Sequence, residues 1–192
     1  MSLEAGRWGV VELGHLGGYV PGGDPDTYYP ALWDWAIQEF NVETVLDVGC
    51  GDGGEKTAFT YFSDKLGWEN VLGIDGVPQP VRNIVAHDFT TGPFHTVGSF
   101  NLCWCSEFVE HVLPQYIPNF TQAFKLCRWV MLTHALPGQA GYHHVNCQVD
   151  YYWIGAMEIA GFRYDAARTL HSRSLVGSYY AESGLIFENL DG

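Results

Sequence analysis

The sequence contains few basic residues and no long apolar segment. Its 192 residues include 9 Lys and Arg against 22 Asp and Glu, for a formal net charge of -13. A chain this acidic repels a phosphate backbone unless its few cations share one face, so direct nucleic-acid binding is disfavoured. No run approaches the roughly 20 apolar residues of a membrane helix, and the amino terminus has no secretory signal pattern. We therefore expect an unprocessed cytoplasmic protein that is not bound to a membrane.

Cysteine is also scarce, and the five cysteines are odd in number. Cys103 and Cys105 share one face of a predicted strand, but no second Cys pair or paired His supplies four ligands for a metal ion. Most of the cysteines lie in apolar segments, which is typical of small core residues. We expect free thiols in a reducing compartment and no metal site.

The length and the apolar content predict one compact domain. Hydrophobic residues make up 47% of the chain and aromatic residues 15%, which is ample for a packed core. No internal repeat or low-complexity segment indicates a domain boundary. We expect a single domain over residues 1–192, with a glycine-rich lid and a helix in residues 1–43 and the core in residues 44–192.

The stretch VLDVGCGDGG at residues 45–54 is the most informative part of the chain. Apolar residues around Asp47 predict a buried strand, and four glycines within six positions predict a tight turn after it. The residues that follow are suited to the first turn of a helix. Backbone N–H groups at such a turn can face a ligand without a Cβ in the way, so the stretch predicts a small-molecule site.

Apolar strands alternate with amphipathic helices along the rest of the chain. The expected strands are residues 45–48, 71–74, 83–86, 100–105 and 129–133, and the expected helices are residues 28–40, 57–66, 115–127 and 149–160. Two last strands, 162–166 and 184–190, form a hairpin-like pair. This pattern predicts an α/β fold: a Rossmann-like, doubly wound, seven-stranded sheet that is mostly parallel with one antiparallel C-terminal strand.

Polar residues follow the predicted strands at the edge where parallel sheets bind ligands. Asp75 lies 24 positions after Gly51, the spacing at which an acidic residue can accept hydrogen bonds from both ribose hydroxyls of a nucleoside cofactor. Asp88 could accept from an adenine amine, with the backbone of Phe89 against the ring. Each of these residues has the alternative role of a helix cap or a loop residue.

The glycine pattern alone does not choose a cofactor, because residues 49–54 also match the G-x-G-x-x-G pattern of dinucleotide-binding proteins. A short-chain dehydrogenase needs a Tyr-x-x-x-Lys pair beside its nicotinamide. Tyr61 and Lys65 have that spacing, but they fall on the helix directly after the glycine turn. We interpret them as helix surface.

The chain resembles the class I S-adenosylmethionine-dependent methyltransferases of the type that methylates small molecules or sugars. The matching pieces are VLDVGCGDGG, GIDG at residues 73–76, HDF at residues 87–89 and SEFVEHV at residues 106–112. By position in these motifs, the resemblance implies that S-adenosylmethionine is held by Asp47, Gly49, Gly51, Asp75, Gly76, Asp88, Phe89, Ser106 and Glu107. Carboxylates at the mouth suit a cationic sulfonium better than a diphosphate.

The methyl acceptor is expected beyond the fifth strand. Methyl transfer requires in-line placement of a nucleophile and, for a hydroxyl, a base. Histidine titrates near neutral pH, so His143 or His144 is the candidate base, the alternative being an exposed loop. Tyr19, Glu110, His111 and Asn146 are the candidate substrate-binding residues, although Glu110 and His111 could equally pack the start of their helix.

We therefore expect an enzyme that transfers a methyl group from S-adenosylmethionine to a hydroxyl or amine of a small molecule. Two alternatives remain open: a nicotinamide-dependent oxidoreductase and a cofactor-binding protein without turnover. The sequence does not predict the acceptor or the oligomeric state.

Overall fold

The computed structural model describes residues 14–191, so the first 13 residues of the predicted lid lie outside it. Seven strands form one sheet in the order β3-β2-β1-β4-β5-β7-β6. The strands are β1 Val45–Val48, β2 Val71–Asp75, β3 Ile84–Ala86, β4 Phe100–Cys105, β5 Cys127–Leu132, β6 Phe162–Tyr164 and β7 Leu185–Asn189. Only β7 runs antiparallel to its neighbours, β5 and β6. The predicted fold class is confirmed.

The strands bury both faces of the sheet, as their near-continuous apolar sequences predict. In β1, Leu46 and Val48 belong to one core cluster, whereas Val45 belongs to the other. In β4, Cys103 and Cys105 likewise face the first cluster. This alternation follows from the two-residue repeat of a strand and leaves Asp47 as the one charged side chain within β1.

Helices cover the two faces. The helices are α1 Pro30–Glu39, α2 Ala58–Leu66, α3 Ile117–Phe124, α4 Asp150–Ile159, α5 Ala166–Arg173 and α6 Ser178–Ser183. Side chains from α1, α2 and α6 pack in one cluster, and side chains from α3 and α4 pack in the other. Thr57 caps the amino end of α2, because its hydroxyl accepts a hydrogen bond from the Thr60 N–H.

Two predicted features differ from the structure. The helix predicted over residues 115–127 is divided into a 3-10 turn, Pro114–Tyr116, and α3. The last two strands are neighbours, but α5 and α6 connect them, so they do not form a hairpin. The antiparallel direction of β7 is therefore obtained through a helical connection.

All five cysteines are free thiols, as expected. Burial raises the pKa of the Cys103 and Cys105 thiols, which keeps them protonated among apolar neighbours. No helix within residues 14–191 has the length and apolar composition needed to cross a membrane.

Candidate functional site

A cavity of about 950 Å³ opens at the carboxyl ends of the parallel strands. Its walls come from the turns after β1, β2 and β4, from the loop after β5 and from the segment that precedes α1. The sequence-predicted residues that line it are Tyr19, Asp47, Gly49, Gly51, Asp75, Gly76, Asp88, Phe89, Ser106, Glu107, His111, His143 and His144. Strand direction alone brings most of them together, since parallel strands end at one edge.

The glycine turn after β1 requires glycine at specific positions. Gly49 has a φ of 77°, and a Cβ at this position would lie 2.8 Å from the Phe108 Cβ. The Gly49 N–H donates to the Ile74 carbonyl at 2.8 Å, which ties the turn to β2. The turn therefore brings the backbones of β1 and β2 and the Phe108 side chain closer together than any larger residue permits.

Asp75 holds the glycine turn from the end of β2. Its Oδ2 accepts from the Gly51 N–H and its Oδ1 from the Val77 N–H, both at 2.9 Å. Burial raises the pKa of Asp75 to about 6, although these two hydrogen bonds favour the ionised form. The Gly76 backbone also contributes a hydrogen bond, and the carboxylate, which has about four acceptor sites, retains acceptor capacity for a ligand.

Asp47 is the most buried acid that lines the cavity. The residue is 2% exposed, and the Asp47 Oδ2 has no hydrogen-bond partner. Burial, together with the charge of Asp75, raises the pKa of Asp47 to about 8. The group is therefore largely neutral at pH 7 and can become ionised when a cation enters the cavity.

Asp88 lies across the cavity after β3. Its Oδ2 lies 2.8 Å from the His15 Nε2, and its Oδ1 accepts from the Thr90 N–H at 2.8 Å. Burial alone would raise the pKa of Asp88, but the hydrogen bonds from His15 and Thr90 outweigh it and hold the pKa below its ordinary value. Asp88 therefore supplies a negative charge to this wall.

The segment after β4 is held in a strained conformation. Glu107 has a φ of 48°, which is uncommon for a residue with a side chain, and its N–H donates to the Thr133 hydroxyl at 2.8 Å. The Glu107 Oε2 accepts from the Gln139 side chain at 3.3 Å, whereas Oε1 has no partner. Burial raises the pKa of Glu107. These contacts hold the Glu107 carboxyl at the cavity wall.

The segment before α1 lies over the mouth of the cavity. A Cβ at Gly18 would come within 3.0 Å of the His111 ring, and a Cβ at Gly76 would meet the Leu16 side chain at 2.7 Å. The Tyr142 hydroxyl donates to the Gly14 carbonyl at 2.7 Å, which joins this segment to the loop after β5. The described part of the predicted lid therefore touches three sides of the site.

The loop after β5 carries both predicted bases. His144 Nδ1 lies 3.0 Å from the Gln139 carbonyl, and the His144 and His111 rings meet edge to face with centroids 5.0 Å apart. His143 has a φ of 49° and is half-buried. Both histidines line the cavity.

Two predicted substrate-binding residues lie behind the cavity wall. Glu110 is 0% exposed, and its carbonyl accepts from the N–H groups of Val145 and Asn146. Asn146 is buried, and its side-chain amide donates to the Val112 carbonyl at 3.2 Å. Neither side chain is part of the lining, so any role in binding a substrate is indirect.

Several lining or supporting residues were not predicted from the sequence. Thr133 and Gln139 fix Glu107, Phe108 packs against Gly49, and His15 pairs with Asp88. Phe108 lies within the SEFVEHV motif, but the motif does not show its contact with Gly49; Thr133, Gln139 and His15 belong to no recognisable motif. Only the chain path in three dimensions shows their roles.

Acidic residues dominate the ionisable side chains of the Asp, Glu, Lys and Arg types that line the cavity. Among the described lining residues, six are carboxylates and a single lysine, Lys56, is the only Lys or Arg. The six acidic residues are Asp24, Asp26, Asp47, Asp75, Asp88 and Glu107. A cavity of this composition favours a cationic ligand over an anionic one.

Solved structures share this architecture. No protein-family model and no curated protein sequence matches the chain. The plantazolicin methyltransferase BpumL, solved with S-adenosylhomocysteine and a desmethyl-plantazolicin analogue, is 12% identical, with a TM-score of 0.59 over 86% of each chain. Human N-acetylserotonin methyltransferase, solved with S-adenosylmethionine, is 9% identical, with a TM-score of 0.53 over 83% of this chain and 50% of its own. The methyltransferase domain of a bacterial Hen1 is 13% identical, with a TM-score of 0.51 over 85% of this chain and 98% of its own. The chain therefore has the class I methyltransferase fold.

Proposed function

We propose that the chain is an S-adenosylmethionine-dependent methyltransferase that acts on a hydroxyl or amine of a small molecule. The observation that carries this proposal is the acidic cavity at the glycine turn of a methyltransferase fold, in which six carboxylates face one lysine. S-adenosylmethionine carries two positive charges, a sulfonium and an ammonium, and this lining would stabilise both.

The residues present fit this cofactor. Gly49 and Gly51 leave the backbone of the turn open to the methionine moiety, and the partly neutral Asp47 can accept an ammonium group by ionising. Asp75 has free lone pairs for the ribose hydroxyls, and Asp88 with Phe89 lies where an adenine would be held. The reactive methyl group would then face Ser106 and Glu107.

A nicotinamide cofactor fits the same cavity less well. A diphosphate would enter a lining that offers one lysine among six carboxylates. The Tyr61 and Lys65 pair that a dehydrogenase would use lies on α2, where Lys65 binds Asp34 at 2.9 Å, and neither residue lines the cavity. These placements support the methyl donor.

On the acceptor side, the protein needs to position a nucleophile and to exclude water. The nucleophile attacks the methyl carbon, the sulfur recovers the bonding electron pair, and S-adenosylhomocysteine leaves. The proton of a hydroxyl or ammonium acceptor is lost in the same turnover. His143 and His144 are the histidines of the loop after β5 that reach the cavity, and either can accept that proton.

Calorimetry with the purified protein tests the choice of cofactor. We expect S-adenosylmethionine and S-adenosylhomocysteine to bind with one-to-one stoichiometry and NAD to give no heat of binding. Binding of NAD alone would overturn the proposal. Tight binding of S-adenosylhomocysteine with no methylation across a broad panel of hydroxyl and amine compounds would overturn the enzymatic part.

Substitution of Asp75 tests the position of the cofactor. Asp75→Ala should weaken S-adenosylhomocysteine binding by about 1.5–3 kcal/mol, the scale for losing a hydrogen bond to a charged group. The matched control is Asp64→Ala on the exposed face of α2, which should bind with wild-type affinity. Equal dissociation constants for the two variants would remove Asp75 from the site.

A further inference from the structure

Three side chains of the types that bind metal ions converge behind the acceptor side of the cavity. Glu110 and His111 belong to the 3-10 turn after β4, and His144 belongs to the loop after β5. One ligand atom of each residue lies within 4.8 Å of the other two. The sequence predicts no metal site because His144 is 33 positions from His111 and the three residues match no metal-binding spacing.

The Glu110 carboxyl is buried without the partners that such a group requires. The residue is 0% exposed, and neither Oε1 nor Oε2 makes a hydrogen bond of normal geometry, although the Glu107 side chain and the Ala135 backbone lie nearby. A buried polar group without partners is costly, and native structures seldom leave one unless a ligand, ion or water completes it. His111 Nδ1, also buried, has no partner either. Two adjacent residues therefore present unused ligand atoms to the same small volume.

The third residue is held in a state suited to coordination. His144 Nδ1 lies 3.0 Å from the Gln139 carbonyl, so Nδ1 carries the proton and Nε2 retains its lone pair. Metal-bound histidines commonly donate their other ring N–H to a backbone carbonyl, as His144 Nδ1 does to Gln139. The Val145 and Asn146 N–H groups both donate to the Glu110 carbonyl, at 3.0 and 2.9 Å, which fixes the His144 loop against the 3-10 turn.

We propose that Glu110, His111 and His144 bind one divalent first-row transition-metal ion. Two imidazoles and one carboxylate favour Zn²⁺, Co²⁺, Fe²⁺ or Mn²⁺ over Mg²⁺, which prefers an all-oxygen shell.

The position of the ion would give it a role in methyl transfer. His111 and His144 line the cavity whereas Glu110 lies behind it, so an ion held by all three has its open positions toward the cavity. This role rests on the proposed function and narrows the acceptor to a hydroxyl. The ion would lower the pKa of a hydroxyl placed against it. His143, the predicted base that is not a ligand, would accept the hydroxyl proton as the oxygen takes the methyl group and the S–CH₃ electron pair returns to sulfur.

Metal titration of the full-length protein tests the site directly. After treatment with a chelator, the protein is titrated in a calorimeter with Zn²⁺, Co²⁺ and Mg²⁺ in turn. We expect one equivalent of Zn²⁺ or Co²⁺ to bind and Mg²⁺ to bind at least about tenfold more weakly. Absence of stoichiometric binding by Zn²⁺ and Co²⁺ would overturn the proposal.

Adjacent histidines provide a matched pair of variants. His144→Ala should weaken Zn²⁺ binding at least about tenfold, because one ligand is lost. His143→Asn should retain wild-type affinity, and asparagine tolerates the positive φ of this position. Equal Zn²⁺ affinities in the two variants would overturn the assignment. Glu110→Gln, which keeps the shape of the side chain, should weaken binding as His144→Ala does.

Cofactor binding separates this inference from the proposed function. In the presence of chelator, His144→Ala and the wild type should bind S-adenosylhomocysteine equally, which also shows that the variant is folded. Loss of Zn²⁺ affinity with retained S-adenosylhomocysteine affinity supports the metal site. A wild-type protein that binds Zn²⁺ but not S-adenosylhomocysteine would refute the proposed function alone.

Discussion

Protonation of Asp47 provides a sharp test of how the cavity receives a cation. The carboxyl is buried, its Oδ2 has no partner, and its pKa is raised to about 8. In the empty protein at pH 7 about 90% of the molecules therefore carry a neutral Asp47. A cofactor ammonium group beside it would favour the ionised form, so binding should release a proton.

The expected size of this effect follows from the pKa values. If the bound cofactor lowers the pKa of Asp47 well below 7, Asp47 releases about 0.9 proton at pH 7. Asp75, with a pKa of about 6, is already about 90% ionised and releases only about 0.1. Because binding favours the deprotonated form of Asp47, affinity should increase close to tenfold from about pH 6 to pH 7 and less steeply from pH 7 to pH 8, where about half of the Asp47 side chains are already ionised. The increase should stop above about pH 8, where the cofactor's own amino group loses its charge.

Calorimetry in two buffers with different ionisation enthalpies counts the released protons. With S-adenosylhomocysteine at pH 7, we expect about one proton for the wild type and about 0.1 for Asp47→Asn, which keeps the shape and removes the titrating group. Asp64→Asn, on the exposed face of α2, should release as many protons as the wild type. The reasoning is refuted if the wild type releases none or if Asp47→Asn releases as many.

Two further predictions concern the turn and the lid. Gly49→Ala places a Cβ 2.8 Å from the Phe108 Cβ, so it should lower the melting temperature and weaken S-adenosylhomocysteine binding more than Gly98→Ala, where nothing lies within 4 Å. Equal dissociation constants and equal melting temperatures for the two variants would show that the Phe108 side chain does not exclude a Cβ at Gly49. Deletion of residues 1–19 removes the Leu16 and Gly18 contacts but keeps the Gly22 to Lys56 hydrogen bond, so it should weaken S-adenosylhomocysteine binding while leaving the melting temperature within a few degrees. An unchanged dissociation constant would show that this segment is not a lid.

The sheet could be predicted from the sequence because its strands are buried on both faces. Apolar runs such as residues 45–48 and 100–105 predict buried strands, and the glycines after the first run predict the turn. The helices α5 and α6 could not be predicted in the same way. The buried residues of α5 are Thr169 and Ser172, so this helix has no apolar stripe that periodicity could detect.

The cavity residues at the strand ends could be predicted from the sequence, whereas those that depend on the paths of the loops could be predicted only in part. Asp47, Asp75 and Asp88 come at or near strand ends, and parallel strands bring those ends to one edge whatever the loops do. Glu110 and Asn146 depend instead on the path of the loop after β5. That path places both behind the wall, because the Asn146 N–H donates to the Glu110 carbonyl at 2.9 Å.

Asp47 and Glu110 lie in different parts of the site and share one electrostatic problem, the burial of an acidic group. Asp47 and Glu110 are both buried acids with carboxylate oxygens that lack a partner, and burying an unpaired charge is costly. Asp47 lines the cavity and can remain neutral until a cation enters. The cost of burying its ionised carboxylate is therefore offset only while the cofactor is bound. Glu110 is fully buried and does not line the cavity, whereas the neighbouring His111 and His144 do, so an organic cation in the cavity would not contact it. A small ion held jointly by Glu110, His111 and His144 could contact this carboxyl. We therefore assign the cofactor's ammonium group to Asp47 and the proposed metal ion to Glu110.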